Sequence, residues 1–433
     1  MSGESKGLRL GHANWWNLAA GFLCSVIVVG STIYSFGLYV KPFVETYGLG
    51  RAEANLGMVV LLTATAVWSP LIGSLIDRLR AEWVVCAGGV MLGLGLCGIA
   101  HAPSLGWVCV AIGGPLALGM SCAGPLAAAT VAARWFRRRR GRALGIVAVS
   151  TSAGGFVMTQ VGAFLILHYG WQQALTLTGI GGGLAICTFA LLVIRSHPTP
   201  EQLRASGEVG PEGDPDTAVG GPGKWSTGAL LRTPNFWLIA FGAGLLLASD
   251  GAILISKVPY LSDLGIGLQA ASFLVACQAG SAVAGKLVVG FATERFDMRK
   301  LFAGVAFAHI LMLATLLAKP SYWTLLVVFS CVGVAVGGVN PIFKALIAAA
   351  FGSRSYGAVF GRMNLVTHPI NVGFTYYIGL AHDRTGSYDE AFWFFGGVVF
   401  VAAWLIALVR LPASEAHQAP DPVERVAALS QKA

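Results

Sequence analysis

The sequence has little charge. Asp, Glu, Lys and Arg make up 11% of its 433 residues and hydrophobic residues 55%, with a mean hydropathy of +0.70. A soluble domain carries roughly 25% charged residues. Residues 103 to 133 contain no charged residue and no histidine, and about 20 apolar residues suffice for a helix to cross the ~30 Å hydrocarbon core. The composition therefore excludes a soluble globular domain and indicates an integral membrane protein.

Recognisable metal and disulfide patterns are also missing. The eight cysteines all lie inside apolar runs, and none forms a Cys-x-x-Cys pair, so we expect small packing residues and no metal site or cofactor. A net charge of +9 on a soluble face would indicate nucleic-acid binding. Here the basic residues cluster between apolar runs, which indicates membrane topology and anionic lipid headgroups, not nucleic acid.

One short segment occurs twice. Gly73 precedes Asp77 and Arg78 by four and five residues, and Gly290 stands in the same way before Glu294 and Arg295. The copies are 290 − 73 = 217 residues apart, about half of the chain. We infer two homologous halves, each with this hairpin on the same side of the membrane.

The apolar runs predict an all-α membrane protein with twelve transmembrane helices in two pseudo-symmetric six-helix bundles. The expected spans are 17–40, 54–76, 83–101, 105–133, 143–167, 171–194, 235–260, 269–292, 301–319, 323–350, 357–380 and 391–411. Residues 1–16 and 412–433 are expected to be tails, 17–194 and 235–411 the two bundles, and the Pro- and Gly-rich segment 195–234 a linker.

Basic residues in short loops predict the orientation. Most arginines, including those at 137–140, fall on the side of the two hairpins. The opposite side holds Lys41, Arg51, Lys319 and Arg384, with Lys257 near an outer helix end. We therefore expect a multi-pass protein of the cell membrane with both termini, the linker and both hairpins in the cytoplasm.

The repeated hairpin and the twelve spans resemble the major facilitator superfamily of secondary transporters. The signature matches at Gly73, Asp77 and Arg78 and departs afterwards, with Arg80 at the usual glycine position and Ala81-Glu82 in place of basic residues. Further stretches resemble the monocarboxylate transporter and oxalate:formate antiporter branch. They are Ser35 to Pro42, Arg134 to Gly145, Val258 to Gly265, Phe351 to Asn364 and Asp383 to Tyr388.

The hairpins are predicted to act as a conformational latch. The glycines permit close helix contact, and each acid–Arg pair can hydrogen-bond a neighbouring helix end across the two halves. The proposed latch comprises Gly73, Asp77, Arg78, Gly290, Glu294 and Arg295. The alternative is a solvated loop charge without that role.

Lys286 is the leading candidate for substrate binding. It lies eight residues before Glu294, about 12 Å up its helix, where a charge costs ~2.5–3.5 kcal/mol unless it has a partner or a water-filled cavity. The position that corresponds in the first half is Ser69, so the charge belongs to one half. In the branch that the chain resembles, an arginine here pairs with the substrate carboxylate. The alternative is a structural ion pair with Asp250 or another acid.

Other polar residues inside spans complete the candidate site. Asp250 is expected either to carry a coupling proton or to neutralise a lysine. His368, followed by Pro369 and Asn371, is either a cavity residue or a packing histidine. Tyr34 and Asn340, with Gln278, are expected to line the cavity, whereas His309 is expected to be structural.

These features predict a secondary transporter that moves a small, monocarboxylate-like organic anion by alternating access, as a monomer, with a proton or a counter-anion. A drug-efflux carrier of the same superfamily is the alternative, but the first span has no acid. A sensor is disfavoured because no output domain is evident, and an enzyme because no catalytic motif lies in a span.

Overall fold

The computed structural model describes residues 13–136, 139–199, 202, 227–293, 295–351 and 356–411, and these residues form helices and connecting turns. The first half contains α1 to α6. Their bounds are Ala13–Val29, Gly30–Tyr34 and Phe36–Tyr47 (together α1), Arg51–Arg78 (α2), Ala81–Ala100 (α3), Leu105–Ala111, Ile112–Leu116, Ala117–Ala123 and Pro125–Trp135 (together α4), Arg140–Tyr169 (α5) and Trp171–Leu192 (α6).

The second half contains α7 to α12. Their bounds are Pro234–Asp263 (α7), Leu268–Ala292 (α8), Met298–Leu317 (α9), Tyr322–Phe351 (α10), Tyr356–Thr385 (α11) and Asp389–Ala407 (α12). A short helix, Thr227–Leu231, precedes α7 inside the expected linker, and residues 203–226 of that linker lie outside the described part. The end of the molecule that carries the α2–α3 and α8–α9 turns is called the hairpin end below, and the other the opposite end.

Eleven of the described helices are long and apolar enough to cross a membrane. The exception is α11, which is 30 residues long but carries Arg362, Asn364, His368 and Asn371. It packs between α2 of the first half and α7 of the second, and the side chains of Arg362, His368 and Asn371 are partly buried. The arrangement agrees with the twelve spans expected from the sequence.

Two spans are interrupted by π-helical turns, Gly30–Tyr34 in α1 and Ile112–Leu116 in α4. In α1 the Ser35 backbone N–H and side-chain hydroxyl both donate to the Gly30 carbonyl oxygen, at 3.0 and 2.8 Å. A side chain at Gly30 would collide with the Gly154 carbonyl of α5. The turn therefore forms where α1 and α5 approach closely, and it ends on Tyr34. Such turns are frequent at functional sites.

The apolar core is divided unequally between the halves. One cluster joins the first half to the opposite end of the second half, where Ile255, Leu261 and Phe392 are buried. A separate cluster at the hairpin end of the second half contains Phe302 and Phe343. The two halves therefore share a continuous core towards the opposite end and have separate cores towards the hairpin end.

Small residues allow α3 and α6 to pack with their backbones in contact. A Cβ atom built at Gly89 would lie 2.9 Å from the Gly183 carbonyl oxygen, and one at Gly93 would lie 3.1 Å from that of Gly179. At Gly181, also on α6, an added Cβ would meet no atom within 4 Å.

Gly89→Ala is therefore expected to lower stability by about 1–3 kcal/mol, because the new methyl group must push two helix backbones apart. Gly181→Ala, the matched control, is expected to be neutral or mildly stabilising. Thermal unfolding of the purified proteins in detergent measures both. Equal melting temperatures for the two variants would contradict this packing.

Candidate functional site

The polar candidates lie mainly where the two halves meet. The interface consists of α2 against α11, α5 against α8, and the end of α1 against α7. Among the described residues, several hydrogen bonds join the halves on the α2–α11 side. They include the bond from Arg51, at the opposite end, and the bond between Thr63 and His368, deeper in the interface. On the α5–α8 side they run from Gln269 to Lys286.

Lys286 of α8 is directed at the first half. Its half-buried ammonium donates to the Ala148 carbonyl oxygen at 2.7 Å and to Thr151 Oγ1 at 2.5 Å, both on α5. Among the described residues Lys286 forms no ion pair with a carboxylate, and its two hydrogen bonds go to neutral oxygens. Neutral oxygens solvate the ammonium without neutralising its charge.

A second cation, Lys344 of α10, interacts electrostatically with Lys286. Lys344 is exposed, as is Asn340 one turn earlier on the same helix. Because exposed polar groups inside a span avoid lipid, we infer that this face of α10 borders water. The two lysines therefore create a positive region on the second half, near the hairpin end.

His368 connects the halves on the other side of the interface. Its Nε2 atom is 3.1 Å from Thr63 Oγ1 of α2. Nearer the opposite end, Asn55 Nδ2 donates to the Thr375 carbonyl oxygen at 3.2 Å. His368 is therefore an interface residue and not a packing histidine inside one bundle.

The remaining polar candidates surround α7. Tyr34, at the end of the π-helical turn, packs on Gly155 of α5 and interacts electrostatically with Asp250. Asp250 is half-buried, and its Oδ1 atom is buried without a hydrogen-bond partner in the described structure. Asn371 of α11 lies beside Gly251, where an added Cβ would be 3.3 Å from Nδ2. Tyr34, Asp250 and Asn371 thus share one region.

Lys257 departs from its expected position near a helix end. It is only 3% exposed and donates from Nζ to Gln278 Oε1 of α8 at 2.8 Å. The sequence places Lys257 six residues before the end of α7, and six residues are about 9 Å of helix. This depth was not expected from the position of Lys257 near the outer end of the helix. Gln278 is buried with Lys257 inside the second half and does not line the interface.

A network of charges, the polar lock, joins the halves at the opposite end. It comprises Lys41, Arg51, Asp263, Asp383 and Tyr388. Asp263 accepts two hydrogen bonds from the Arg51 guanidinium, at 2.6 and 2.8 Å, and pairs with Lys41 at 2.8 Å. Lys41 and Arg51 belong to the first half and Asp263 to the second. The ion pairs therefore close this end of the interface.

Asp383 and Tyr388 extend the polar lock. The Asp383 carboxylate accepts the backbone N–H groups of Arg51 and Ala52, at 2.8 and 2.9 Å, and so caps α2 from the other half. The Tyr388 hydroxyl accepts from Arg51 at 2.6 Å, and burial raises the pKa of this phenol to about 12, so it stays protonated at neutral pH. In the sequence, Asp383 and Tyr388 stand out only as the two ends of one stretch that resembles the monocarboxylate transporter branch.

Among the residues that the structure describes, the repeated hairpins make no such connection between the halves. A Cβ atom at Gly73 or at Gly290 would meet nothing within 4 Å, so neither glycine lies at a close helix contact here. Arg78 ends α2 and is exposed, as is Arg295 after α8. Glu294 and the side chain of Asp77 lie outside the described structure. The latch role stays a prediction.

The departure from the signature at Glu82 has a structural reason. Glu82 is buried at the start of α3, where it pairs with Arg80 at 2.9 Å and accepts a hydrogen bond from Ser196 at 2.5 Å. Ser196 in turn accepts the Ala81 backbone N–H. The acid thus ties the first hairpin to the segment after α6, within one half.

This geometry can be compared with known proteins. The sequence profile described as Major Facilitator Superfamily matches residues 21–256 and 239–432. The chain belongs to the Major Facilitator Superfamily. Its relatives include monocarboxylate transporter 12-B of Danio rerio, 27% identical over 81% of this chain and 78% of that protein. Human monocarboxylate transporter 12 is 24% identical over 92% and 80%. An uncharacterized MFS-type transporter of Bacillus subtilis, YcxA, is 22% identical over 86% and 90%.

Solved structures agree with the fold. A bacterial homolog of the human lysosomal transporter Spinster, in an inward-facing and occupied conformation, superposes with a TM-score of 0.69 at 15% identity. The match covers 92% of this chain and 97% of that one. The predicted twelve-helix, two-bundle fold and the resemblance to this superfamily are confirmed. The protein is a multi-pass membrane transporter of a small molecule and is not an enzyme.

The polar lock predicts that Asp263→Asn loosens the opposite end, because one carboxylate pairs with two cations of the other half. Since the pairs are partly exposed, we expect about a threefold to fivefold change in the equilibrium between closed and open states. The reporter is a cysteine at the buried position Asn55, in a background whose native cysteines are serines. Its alkylation by a bulky maleimide should accelerate by that factor.

Asp297→Asn is the matched control. Asp297 pairs with Arg299 at 2.7 Å within one half, and this guanidinium holds the pKa of the carboxyl below its usual range. The substitution should leave alkylation at position 55 unchanged. An unchanged rate in Asp263→Asn as well would show that the lock does not hold the halves together.

Proposed function

We propose that this transporter moves a small organic anion, of monocarboxylate type, across the cell membrane by alternating access. Lys286 is the group that binds the carboxylate, and the transport is coupled to a proton or to exchange for another anion. The single observation that carries the proposal is an ammonium at the interface of the halves that neutral oxygens surround and no described acid neutralises.

The electrostatics favour an anionic substrate. A charge inside the membrane costs several kcal/mol unless a partner compensates it. Among the described residues Lys286 has no permanent carboxylate partner, and Lys344 adds a second positive charge nearby. A substrate carboxylate supplies the missing counter-charge, and it forms charge-assisted hydrogen bonds with the ammonium. The names of the relatives, which include monocarboxylate transporters, agree with this substrate class.

The position of Lys286 links substrate binding to movement. Its ammonium belongs to α8, whereas its two acceptors belong to α5 of the other half. A carboxylate that binds the ammonium competes with Ala148 and Thr151 and so changes a contact between the halves. On the α2–α11 side, Thr63 and His368 form the corresponding contact. Tyr34, Asn340 and Asn371 supply further polar groups for the substrate.

The shared core and the polar lock support a state closed at the opposite end, with access from the hairpin end. We propose that the hairpin end is cytoplasmic, in keeping with the arginines there. The latch of Gly73, Asp77, Arg78, Gly290, Glu294 and Arg295 then closes in the other access state, when the polar lock opens.

Uptake of a monovalent anion into an inside-negative cell is opposed by ~2.3 kcal/mol per 100 mV. A co-transported proton cancels the charge, and exchange for an outgoing anion does the same. Asp250, with its unpartnered carboxylate oxygen, is the proposed proton-coupling residue.

Lys286→Gln is expected to abolish accumulation of the substrate acid in proteoliposomes and to weaken its binding by about 10- to 100-fold, because a charged hydrogen bond contributes ~1.5–3 kcal/mol. Lys286→Arg should retain part of both. The substrate is first identified by screening a panel of organic acids for thermal stabilisation of the purified protein.

Lys319→Gln provides the control, since Lys319 lies in an exposed turn and pairs with Asp389 of the same half. Its uptake should equal that of the unmodified protein. Normal accumulation by folded Lys286→Gln would refute the assigned role of Lys286.

A further inference from the structure

Three titratable side chains of the second half, Asp250, Lys257 and His309, are incompletely paired among the described residues. Lys257 is 3% exposed and His309 is fully buried, while Asp250 is half-buried. Neither ring nitrogen of His309 has a hydrogen-bond partner among the described residues, and neither does Asp250 Oδ1. Because buried polar groups are almost always paired, such a cluster needs a functional explanation.

Lys257 is solvated but not neutralised by its direct neighbours. Its ammonium donates to the neutral Gln278 amide at 2.8 Å and lies 5.8 Å from the centre of the Phe329 ring. Both contacts stabilise a cation without removing its charge. Asp250 interacts electrostatically with Lys257. It lies seven residues earlier on α7, which is two turns or about 10 Å along the same face.

His309 of α9 interacts electrostatically with Asp250 and Lys257 of α7. The helices packed on α9 are α10 and α12. Between residues 322 and 351 and between 391 and 407 these two helices carry one charged residue, Lys344. Neither α10 nor α12 therefore offers His309 a charged partner at the same depth in the bundle. The groups that interact with it electrostatically are Asp250 and Lys257 of α7.

Asp250 also connects this cluster with the interface between the halves. From α1, Tyr34 interacts with it electrostatically, and from α11, Asn371 lies next to the adjacent Gly251. Tyr34 and Asn371 both belong to the proposed substrate region. A proton that arrives through the interface therefore meets Asp250 first, and Lys257 and His309 lie behind it.

We propose that Asp250, Lys257 and His309 form one proton-binding site, the coupling cluster. Asp250 takes up the proton from the interface, Lys257 supplies the fixed positive charge that keeps the empty carboxylate ionised, and His309 shares the proton inside the bundle. The proton binds on one side of the membrane and leaves on the other without any bond change elsewhere. This inference rests on the proposed anion transport and assigns its coupling ion.

The charges of the cluster match this cycle. Without the proton, Asp250 and Lys257 cancel, so the empty carrier buries no net charge in the cluster. Proton binding adds one positive charge to the cluster and substrate binding adds one negative charge at Lys286, so the loaded and the empty carrier have the same total charge. The loaded carrier therefore moves a neutral pair across the membrane potential and avoids the opposing ~2.3 kcal/mol per 100 mV.

Two assays on the full-length protein in proteoliposomes separate coupling from substrate binding. Net uptake of the substrate acid is driven by an imposed proton gradient, whereas counterflow exchanges labelled for unlabelled acid at equal pH and needs no net proton movement. Asp250→Asn is expected to lose net uptake and to retain counterflow. His309→Gln is expected to slow net uptake and leave counterflow unchanged.

Lys257→Met tests the fixed charge through the pH profile. Because the variant removes a charge that interacts with Asp250, the pH dependence of net uptake should shift, while counterflow at equal pH should be retained. Should either single variant fold poorly, Asp250→Asn/Lys257→Met removes both charges together. This double variant should be at least as stable as each single one and remain uncoupled.

Met312→Leu serves as the control, since it changes the sulfur 3.9 Å from Gln278 Nε2 but no titratable group, and both assays should be unaffected. If folded Asp250→Asn loses both net uptake and counterflow, or retains both, the cluster is not the proton-coupling site. If the unmodified protein exchanges acids but ignores the proton gradient, the cluster fails and anion exchange stands. If Lys286→Gln also transports normally, the proposed substrate function fails.

Discussion

A positive charge inside a membrane must be compensated, and the placement of Lys286 follows from that constraint. Its ammonium lies between the two bundles and, among the described residues, donates hydrogen bonds to a backbone carbonyl and a hydroxyl. A permanent acid would make the site structurally complete and leave nothing for a ligand to supply. If the substrate supplies the counter-charge, as we propose, anion binding and the relation between the two halves depend on the same contact.

The two ends of the interface use different chemistry. At the opposite end, Asp263 joins Lys41 and Arg51 by ion pairs, and Asp383 caps α2 from the other half. Deeper in the interface, on the α2–α11 side, the contacts include single hydrogen bonds, such as Asn55 with Thr375 and Thr63 with His368. Partly exposed ion pairs contribute little each and can separate in water, which suits a closure that must reopen. The single hydrogen bonds can likewise exchange partners, as the proposed alternating access requires.

The sequence predicts much of the fold, because twelve apolar runs and a duplicated hairpin are local patterns. The span expected at 357–380 corresponds to α11, although α11 carries Arg362, Asn364, His368 and Asn371. Helical spacing predicts the depth of Lys286 in α8, whereas its hydrogen bonds to Ala148 and Thr151 of the other half follow only from the packing of the helices.

What the sequence could not supply were contacts between distant segments. Lys257 precedes the end of α7 by only six residues, yet packing against α8 and α10 buries it. The polar lock joins residues more than 200 positions apart, such as Arg51 and Asp263, and each is unremarkable in its own loop. The access state is likewise a property of the whole interface. Gly73 and Gly290 were predicted to permit close helix contact, but an added Cβ at either position meets no atom within 4 Å here.

The most direct test of the central claim is to measure whether a substrate carboxylate covers the Lys286 ammonium. The purified protein is acetylated with an amine-specific reagent, with and without a saturating concentration of the acid that stabilises it most, and labelling of each lysine is read by mass spectrometry. The account predicts strong protection of Lys286 and none of Lys319. Equal acetylation of Lys286 in both samples would contradict it.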